Sequence, residues 1–445
     1  MDFELDETQR VIASSAADVL ASAASRESPG AARRVGAARP GTGLAGAGVA
    51  GGESAATAHG PDYDLAAWQG LAKAGLLSLT LPSWLDGDGL GVLEAAVLLT
   101  EVGRQAVTVP ALATIMLGVL PVVRWGSQDL QARLLAGVGA GEVILTAAIR
   151  EPSAGMPAEP AASVTLSGGA SGSAGWGTVS GTKIGVPYAD EAAWILVPAR
   201  LPAGGSAVVI LDRDAAGISV SRTPVSGDTP EFTVRLADTP ITGVLGIGER
   251  GAAQAGAAVD DLYRLAAAGA AASADGAIAG ALALTTSYLA AREQFGRPLA
   301  TFQAVAQQVA DVYITGRTLH LAAISACWRL ATGRDAGDDA DIAAYWLAQE
   351  APAALRTCHH LHGGVGLDIS YPLHRYSALI NDLARFVGGA EYRLDLLGER
   401  AGSAQDDRPG GRPAGLVAGG PGARPGDDAG HGTAGGKAVR TCSSS

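Results

Sequence analysis

The sequence predicts an α+β fold with an N-terminal helical domain (residues 1–141), a middle antiparallel β-domain (142–248) and a C-terminal helical bundle (249–400), followed by a disordered tail (401–445). Three observations predict it. Apolar residues recur every three or four positions in the first part of the chain. Between about 142 and 240 the pattern changes to short β-branched runs punctuated by Gly, Pro and Asp, and from about 250 the helical rhythm returns.

Taken in order, Asp6 followed by Gln9 makes an N-terminal capping pair, with Val11, Ile12, Val19 and Leu20 at helical spacing behind it. Residues 27–60 are rich in Gly, Ala and Pro without periodicity and are expected to be a low-complexity insert; 153–174 resemble them more weakly. Leu65, Trp68, Leu71 and Ala72 resume the helical period, as do Leu93, Val97, Leu98 and Val102 after the Gly-rich turn at 86–91. The runs Val179–Val186, Ala193–Val197, Ala207–Leu211, Ile218–Val220 and Phe232–Leu236 predict strands of an antiparallel sandwich or barrel. In the third part Leu262, Leu265, Gly269, Ala272, Gly276 and Ala279 form a small-residue stripe that lets helix backbones approach closely. Further helices are expected at 302–331 and 338–361.

Composition narrows the function. Of the 445 residues 48% are hydrophobic and 17% charged, enough to bury a large interior. The 32 basic and 44 acidic residues give a formal net charge of −12, which argues against nucleic acid as a partner while leaving room for a local site for a phosphorylated ligand. Cys327, Cys358 and Cys442 form no CxxC pair, the acidic start MDFELDETQR is unlike a signal peptide, and the longest apolar run, Ala111 to Val123, is short for a bilayer and holds Pro121. A cytoplasmic protein without a membrane anchor is the expectation.

Two segments stand out as candidate binding chemistry. Arg292, in AAREQFGRPLATFQAVAQQVAD, ends a long helix ahead of Gly296 and Pro298, where a guanidinium could hold an anion while the chain reverses; an ordinary charged helix end is the plainer alternative. HHLHGGVGLD at 359–368 sets three histidines before a glycine bend whose N–H groups could face a pyrophosphate. A metal site there would need further ligands, which no nearby carboxylate or cysteine spacing supplies, so none is expected. The glycines also do not follow a strand and open a helix, as a Rossmann fingerprint would.

Together, these segments resemble the acyl-CoA dehydrogenase family. REQFGRPLATFQAVAQQVADV is similar to that family's RxQFGxPLxxFQxxxxxLADM signature, and HLHGGVGLDISYPLHRY to its QxxGGxGxxxxxPxxR segment. LLSLTLPSWLDGDGLGVLEAAVLLTEVGR (76–104) and WGTVSGTKIGVPYADEAAWILVPAR (176–200) resemble its N-terminal and middle-domain stretches, in the family's order. The resemblance implies a helical domain, a β-domain and a four-helix bundle, assembled as an oligomer around FAD. It implies α,β-desaturation of an acyl-CoA thioester, with an electron-transfer flavoprotein as the usual acceptor. By the same resemblance Arg292, Phe295 and Gln303 reach the FAD of a neighbouring subunit, and His360 (in place of the usual Gln), Gly363 and Gly364 contact it across the interface.

The resemblance also exposes departures. The family's catalytic carboxylate falls, 15 residues after Pro372, on Val387, and its alternative position, 26 residues before Arg292, on Ala266. Neither side chain accepts a proton, so no catalytic residue is assigned to this chain. Glu391 lies four residues past Val387, where cofactor contacts are expected, and Asp260 and Asp261 read as a solvated helix start. REPSAG at 150–155 keeps the EP and AG of a flavin-side loop but puts Arg150 where Thr is usual, and Gly185 stands where many members place a flavin-flanking Trp. Such losses resemble a bacterial subset acting on steroid or other bulky acyl-CoA substrates, in which two homologous subunits assemble and one carries the base. The expectation is a subunit without its own base that completes a partner's flavin site. A self-sufficient dehydrogenase with an unrecognised carboxylate, and a flavin-dependent oxygenase or scaffold on the same fold, stand as alternatives.

Overall fold

The computed structural model describes residues 4–24, 61–166, 177–246 and 253–406; the expected insert at 27–60 and most of the expected tail lie outside these. Contacts group Met1–Arg400 into one compact unit; of the second unit, 401–445, residues 401–406 are described.

α1 (Glu7–Ala24) opens on the expected reciprocal cap: Gln9 N–H donates to Asp6 Oδ1 at 2.8 Å and Asp6 N–H to Gln9 Oε1 at 3.2 Å. Asp64 caps α2 (Leu65–Lys73) through the Ala67 N–H at 2.9 Å, and Trp68, fully buried, donates from its indole to the Gly141 carbonyl. α3 (Val92–Gln105) leads to a π-helical segment, Leu112–Val119, then α4 (Leu120–Trp125), with Pro121 at its start, and α5 (Gln128–Leu135).

The middle domain contains β1 (Leu145–Ala147), β2 (Ser163–Thr165), β3 (Thr178–Pro187), β4 (Trp194–Arg200), β5 (Ser206–Asp212), β6 (Ile218–Thr223), β7 (Glu231–Pro240) and β8 (Gly243–Val244). Among the described residues they form one eight-stranded sheet in the order β6-β7-β3-β2-β4-β5-β8, with β1 on β4. The five expected strands are β3 to β7, joined antiparallel wherever they pair with one another. β1 and β2 run parallel to β4, so the sheet is mixed. β2 also shows that the 153–174 stretch is not wholly structureless: Val164 pairs with Val179 of β3 and is buried.

The C-terminal part comprises α6 (Ala253–Ala291), a two-stranded hairpin of β9 (Glu293–Gln294) and β10 (Arg297–Pro298), α7 (Gln303–Ala331), α8 (Gly337–Gln349), α9 (Ala351–His362), α10 (Leu373–Phe386) and α11 (Ala390–Asp406). The helix expected over 338–361 is two helices, because Pro352 lacks the N–H an uninterrupted helix would use. α11 carries helix into the first six residues of the expected tail. α6 to α9 pack on one another and α10 lies against α6, α8 and α9.

The small-residue stripe does what its spacing predicts. A Cβ on Gly276 would stand 1.8 Å from the Thr100 carbonyl oxygen, one on Gly280 2.2 Å from that of Arg104, and one on Gly103 2.0 Å from that of Ser273. α3 and α6 therefore touch backbone to backbone, which only hydrogen at those positions permits. α6 is long and apolar enough to cross a membrane, but 83% of its most apolar window is buried inside the protein, so tertiary packing accounts for its hydropathy. Asp261 is not a solvated helix start. It is buried and accepts from Arg124 Nε at 2.7 Å and the Trp125 indole at 2.7 Å, clamping α4 to α6.

Candidate functional site

The α6–α7 turn is built for display. Arg292 caps the last turn of α6, its N–H donating to the Tyr288 carbonyl, while its own carbonyl accepts from Leu299 N–H, both at 2.8 Å. Between them the β9–β10 hairpin closes on Phe295 and Gly296 with φ of +54° and +79°, the left-handed pair a two-residue hairpin turn requires. Glycine adopts this freely; phenylalanine does so at a cost of about 1–2 kcal/mol. Among the described residues nothing repays that cost by burial: Phe295 is 91% exposed, with an edge contact to Phe302 at 6.1 Å. Phe302 itself stacks under the Arg297 guanidinium, 4.1 Å from ring to Cζ. Arg292 and Gln303, at the start of α7, are exposed on the same turn.

The histidine–glycine segment forms the end of α9 and a short 3₁₀ turn, Gly363–Leu367. Gly363 has φ +60° and ψ −139°, a conformation reserved for glycine, and its N–H donates to the carbonyls of His359 and His360. Gly366 is needed for space, since a Cβ there would meet the His362 Cβ at 3.0 Å. Gly364 needs neither: a Cβ on it would meet nothing within 4 Å. His360 and Gly364 are exposed, so this bend presents open backbone to an outside group.

The two segments meet through aromatic contacts. His362, buried, stacks on Tyr288 of α6 with ring centroids 4.6 Å apart, donates or accepts at Nε2 with the Tyr371 hydroxyl at 3.0 Å, and pairs at Nδ1 with the Cys358 carbonyl. A carbonyl only accepts, so Nδ1 carries the proton and Nε2 takes the tyrosine hydrogen. Burial pushes the His362 imidazole below its ordinary value and favours that neutral form. Tyr288 lies one helical turn before Arg292 and His362 directly before Gly363, so the stack ties both displayed segments to one rigid base. Among the described residues the two segments expose the Arg292 and Arg297 guanidinium groups, the Gln303 amide, the His360 imidazole, a glycine bend and the Phe295 ring, donor and stacking groups of the kind a dinucleotide would need.

A separate cleft of about 910 Å³ lies between the end of α3, the Val107–Ala113 segment, the β6–β7 loop and α10. Leu112, Leu379, Leu383 and Phe386 supply apolar wall. Its inner polar groups are already engaged. Arg385 holds Glu231 bidentately at 2.6 and 2.9 Å and reaches Asp382 at 3.0 Å; Asp382 also accepts from Gly227 N–H at 2.8 Å. The carboxylate of Glu231 keeps the Arg385 guanidinium firmly protonated.

Val387 and Ala266 are both fully buried, and neither side chain is a proton acceptor. Glu391 is exposed in the first turn of α11. Beside the cleft, a Cβ on Gly185 (φ +57°) would stand 2.6 Å from Arg150 Nη1 and 2.9 Å from Glu231 Oε2, so Arg150 fills the space in front of that glycine. Burial lowers the Arg150 guanidinium below its usual range, and its Nε is buried without a partner among the described residues. Behind it, Glu151 and Lys183 form a buried ion pair at 2.6 Å, with Ala161 and Ala162 N–H donating to the same carboxylate. Burial raises the Glu151 carboxyl, but its ammonium and N–H donors outweigh this and hold it below the usual range; burial lowers Lys183. Sequence reasoning missed this pair and the Arg385 network, because their partners lie 32 and 154 residues apart.

Family models for the N-terminal domain of acyl-CoA dehydrogenases match residues 50–142 and for their C-terminal domain residues 258–402. Acyl-CoA dehydrogenase FadE28 of Mycobacterium tuberculosis is 45% identical over 75% of this chain and 91% of its own length. The chain belongs to the acyl-CoA dehydrogenase family. The family comprises FAD-dependent oxidoreductases acting on CH–CH bonds. FadE27 of the same organism is 30% identical over 76% of this chain and 88% of its own. Among solved structures, the Tcur3481–Tcur3483 steroid ACAD G363A variant is 31% identical with a TM-score of 0.74, covering 89% of this chain and 99% of that one. The ChsE4–ChsE5 complex from Mycobacterium tuberculosis is 27% identical with a TM-score of 0.75, covering 90% and 99%. The three-part architecture is thus that of the acyl-CoA dehydrogenases.

Proposed function

We propose that this chain is one subunit of a hetero-oligomeric acyl-CoA dehydrogenase that desaturates the α,β-bond of a bulky acyl-CoA thioester, and that it lends cofactor contacts while its homologous partner supplies the base. The observation that carries the reading is a mismatch within one chain. The displayed groups are retained at a conformational cost, whereas both base columns are buried valine and alanine.

In this reading Arg292 pairs with a phosphate oxygen of FAD held mainly by the partner, Gln303 and His360 hydrogen-bond beside it, and the Phe295 ring covers an apolar face. Gly363 and Gly364 let the nucleotide approach the backbone. FAD, when bound, accepts the hydride equivalent from the β-carbon. The α-proton must go to a carboxylate, and Glu231 and Asp382, the buried acids at this chain's cleft, are already tied up in hydrogen-bonded ion pairs with Arg385. Arg150, filling the space before Gly185, further favours a cofactor placed against the partner's β-domain. Likeness to a steroid ACAD and to a two-component complex supports the bulky substrate and the hetero-oligomer. An electron-transfer flavoprotein is the proposed acceptor.

Co-expression with a homologous subunit carrying a Glu at the Val387 column tests this. The expected product is a yellow complex of both chains, active on acyl-CoA, with this chain colourless when purified alone. A lone chain that binds FAD and is bleached by an acyl-CoA would refute it.

A further inference from the structure

A second cavity, of about 540 Å³, opens between α1, α3, α6 and α7 and shares no lining residue with the cleft described above. On α3 the two are served by different faces: Leu99, Val102 and Gly103 face the first, Thr100, Glu101 and Arg104 the second. Its volume is in the range of small-molecule sites. Ala272, Ile278, Ala323 and Cys327 give it an apolar floor, and burial pushes the Cys327 thiol up to about 12, so the floor carries no thiolate.

The polar groups in this apolar chamber are arranged unequally. Asp275, buried on α6, meets His320 Nδ1 of α7 at 2.9 Å. A carboxylate accepts only, so Nδ1 bears the proton, and Nε2 has no partner among the described residues. Glu101 is taken by Arg104 at 3.1 Å. Each acid therefore has its partner, while Arg317, exposed at the cavity wall, has none among the described residues.

We propose that this cavity binds a long-chain apolar carboxylic acid, its alkyl body on the alanine floor and its carboxylate between Arg317 and His320. One guanidinium suits a singly charged planar anion, held bidentately. A phosphate-rich ligand would bring several charges to a site with one open cation. Nε2 of His320, the open ring nitrogen of the pair with Asp275, lies on the same cavity wall as Arg317 and gives the head group a second polar neighbour. The cavity shares no residue with Arg292, Phe295, Gln303, His360, Gly363 or Gly364, nor with the 910 Å³ cleft.

Titration of the full-length chain, alone and in its native assembly, with cis-parinaric acid tests the proposal by fluorescence. Saturable binding is expected, displaced by unlabelled fatty acid and not by the alcohol of equal chain length. Arg317→Glu should weaken it by about tenfold or more, and Ala279→Phe, which fills the chamber, should abolish it. Leu379→Trp, in the other cleft, should leave it unchanged. No saturable binding, as when a neighbouring subunit fills the cavity, would overturn the proposal. So would undiminished binding in Arg317→Glu, or loss only in Leu379→Trp. Arg317 is exposed, so that variant keeps the test valid should Ala279→Phe misfold.

Discussion

Phe295→Asn should move stability and cofactor retention in opposite directions. In the chain by itself Phe295 sits at φ +54° in the first position of a two-residue hairpin, where Asn followed by Gly is the favoured pair. Relieving the left-handed strain returns about 1–2 kcal/mol. The loss is small: at 91% exposure almost no apolar burial is forfeited, and the edge contact with Phe302 is worth about 0.5–1 kcal/mol. The net expectation is a lone subunit more stable by up to about 1.5 kcal/mol, read as a higher midpoint in urea at unchanged slope. In the complex with the base-bearing partner the same substitution removes an aromatic contact to FAD, so flavin content after gel filtration should fall. A variant that destabilises the lone chain would show that Phe295 is held by packing within the fold. One that leaves flavin content intact would show that its display serves something else.

Two further perturbations follow from the packing. Gly276→Ala forces a Cβ to within 1.8 Å of the Thr100 carbonyl, against backbone that cannot rotate away, and should cost about 3 kcal/mol or more by chemical denaturation. Glu151→Gln strands the fully buried Lys183 ammonium and should cost about 3–5 kcal/mol. The same pair sets an acid limit. The folded Glu151 carboxyl lies below its unfolded value of about 4.3, so its contribution is complete above that pH and fades as pH falls through the folded value. Denaturation midpoints measured from roughly pH 3 to 7 should show a steeper acid loss in the native chain than in the Gln variant.

How much was legible in the sequence depended on range. The Asp6–Gln9 cap, the strands β3 to β7 and the Gly/Ala stripe follow from neighbours a few residues apart, and the structure realises each. The exposure of Arg292, Phe295, Gln303, His360, Gly363 and Gly364 follows from two turns whose shape is set by neighbouring residues. β1, β2 and β8 were not recognisable: three residues or fewer carry no period, and their places are fixed by partners such as Trp194 and Val209.

The amino-acid order by itself determined the succession of helix, strand and helix, the family, and the absence of a carboxylate at positions 266 and 387, since these are properties of single residues and short spacings. Only the tertiary structure decided that Asp261 is a buried clamp, that Arg385 pairs with both Glu231 and Asp382, that Arg150 fills the space before Gly185, and that Asp275 and His320 meet inside a second cavity. The physical reason is that charge and burial act through space: a carboxylate's role is set by which donor the fold brings to it, and that donor can stand more than a hundred residues away.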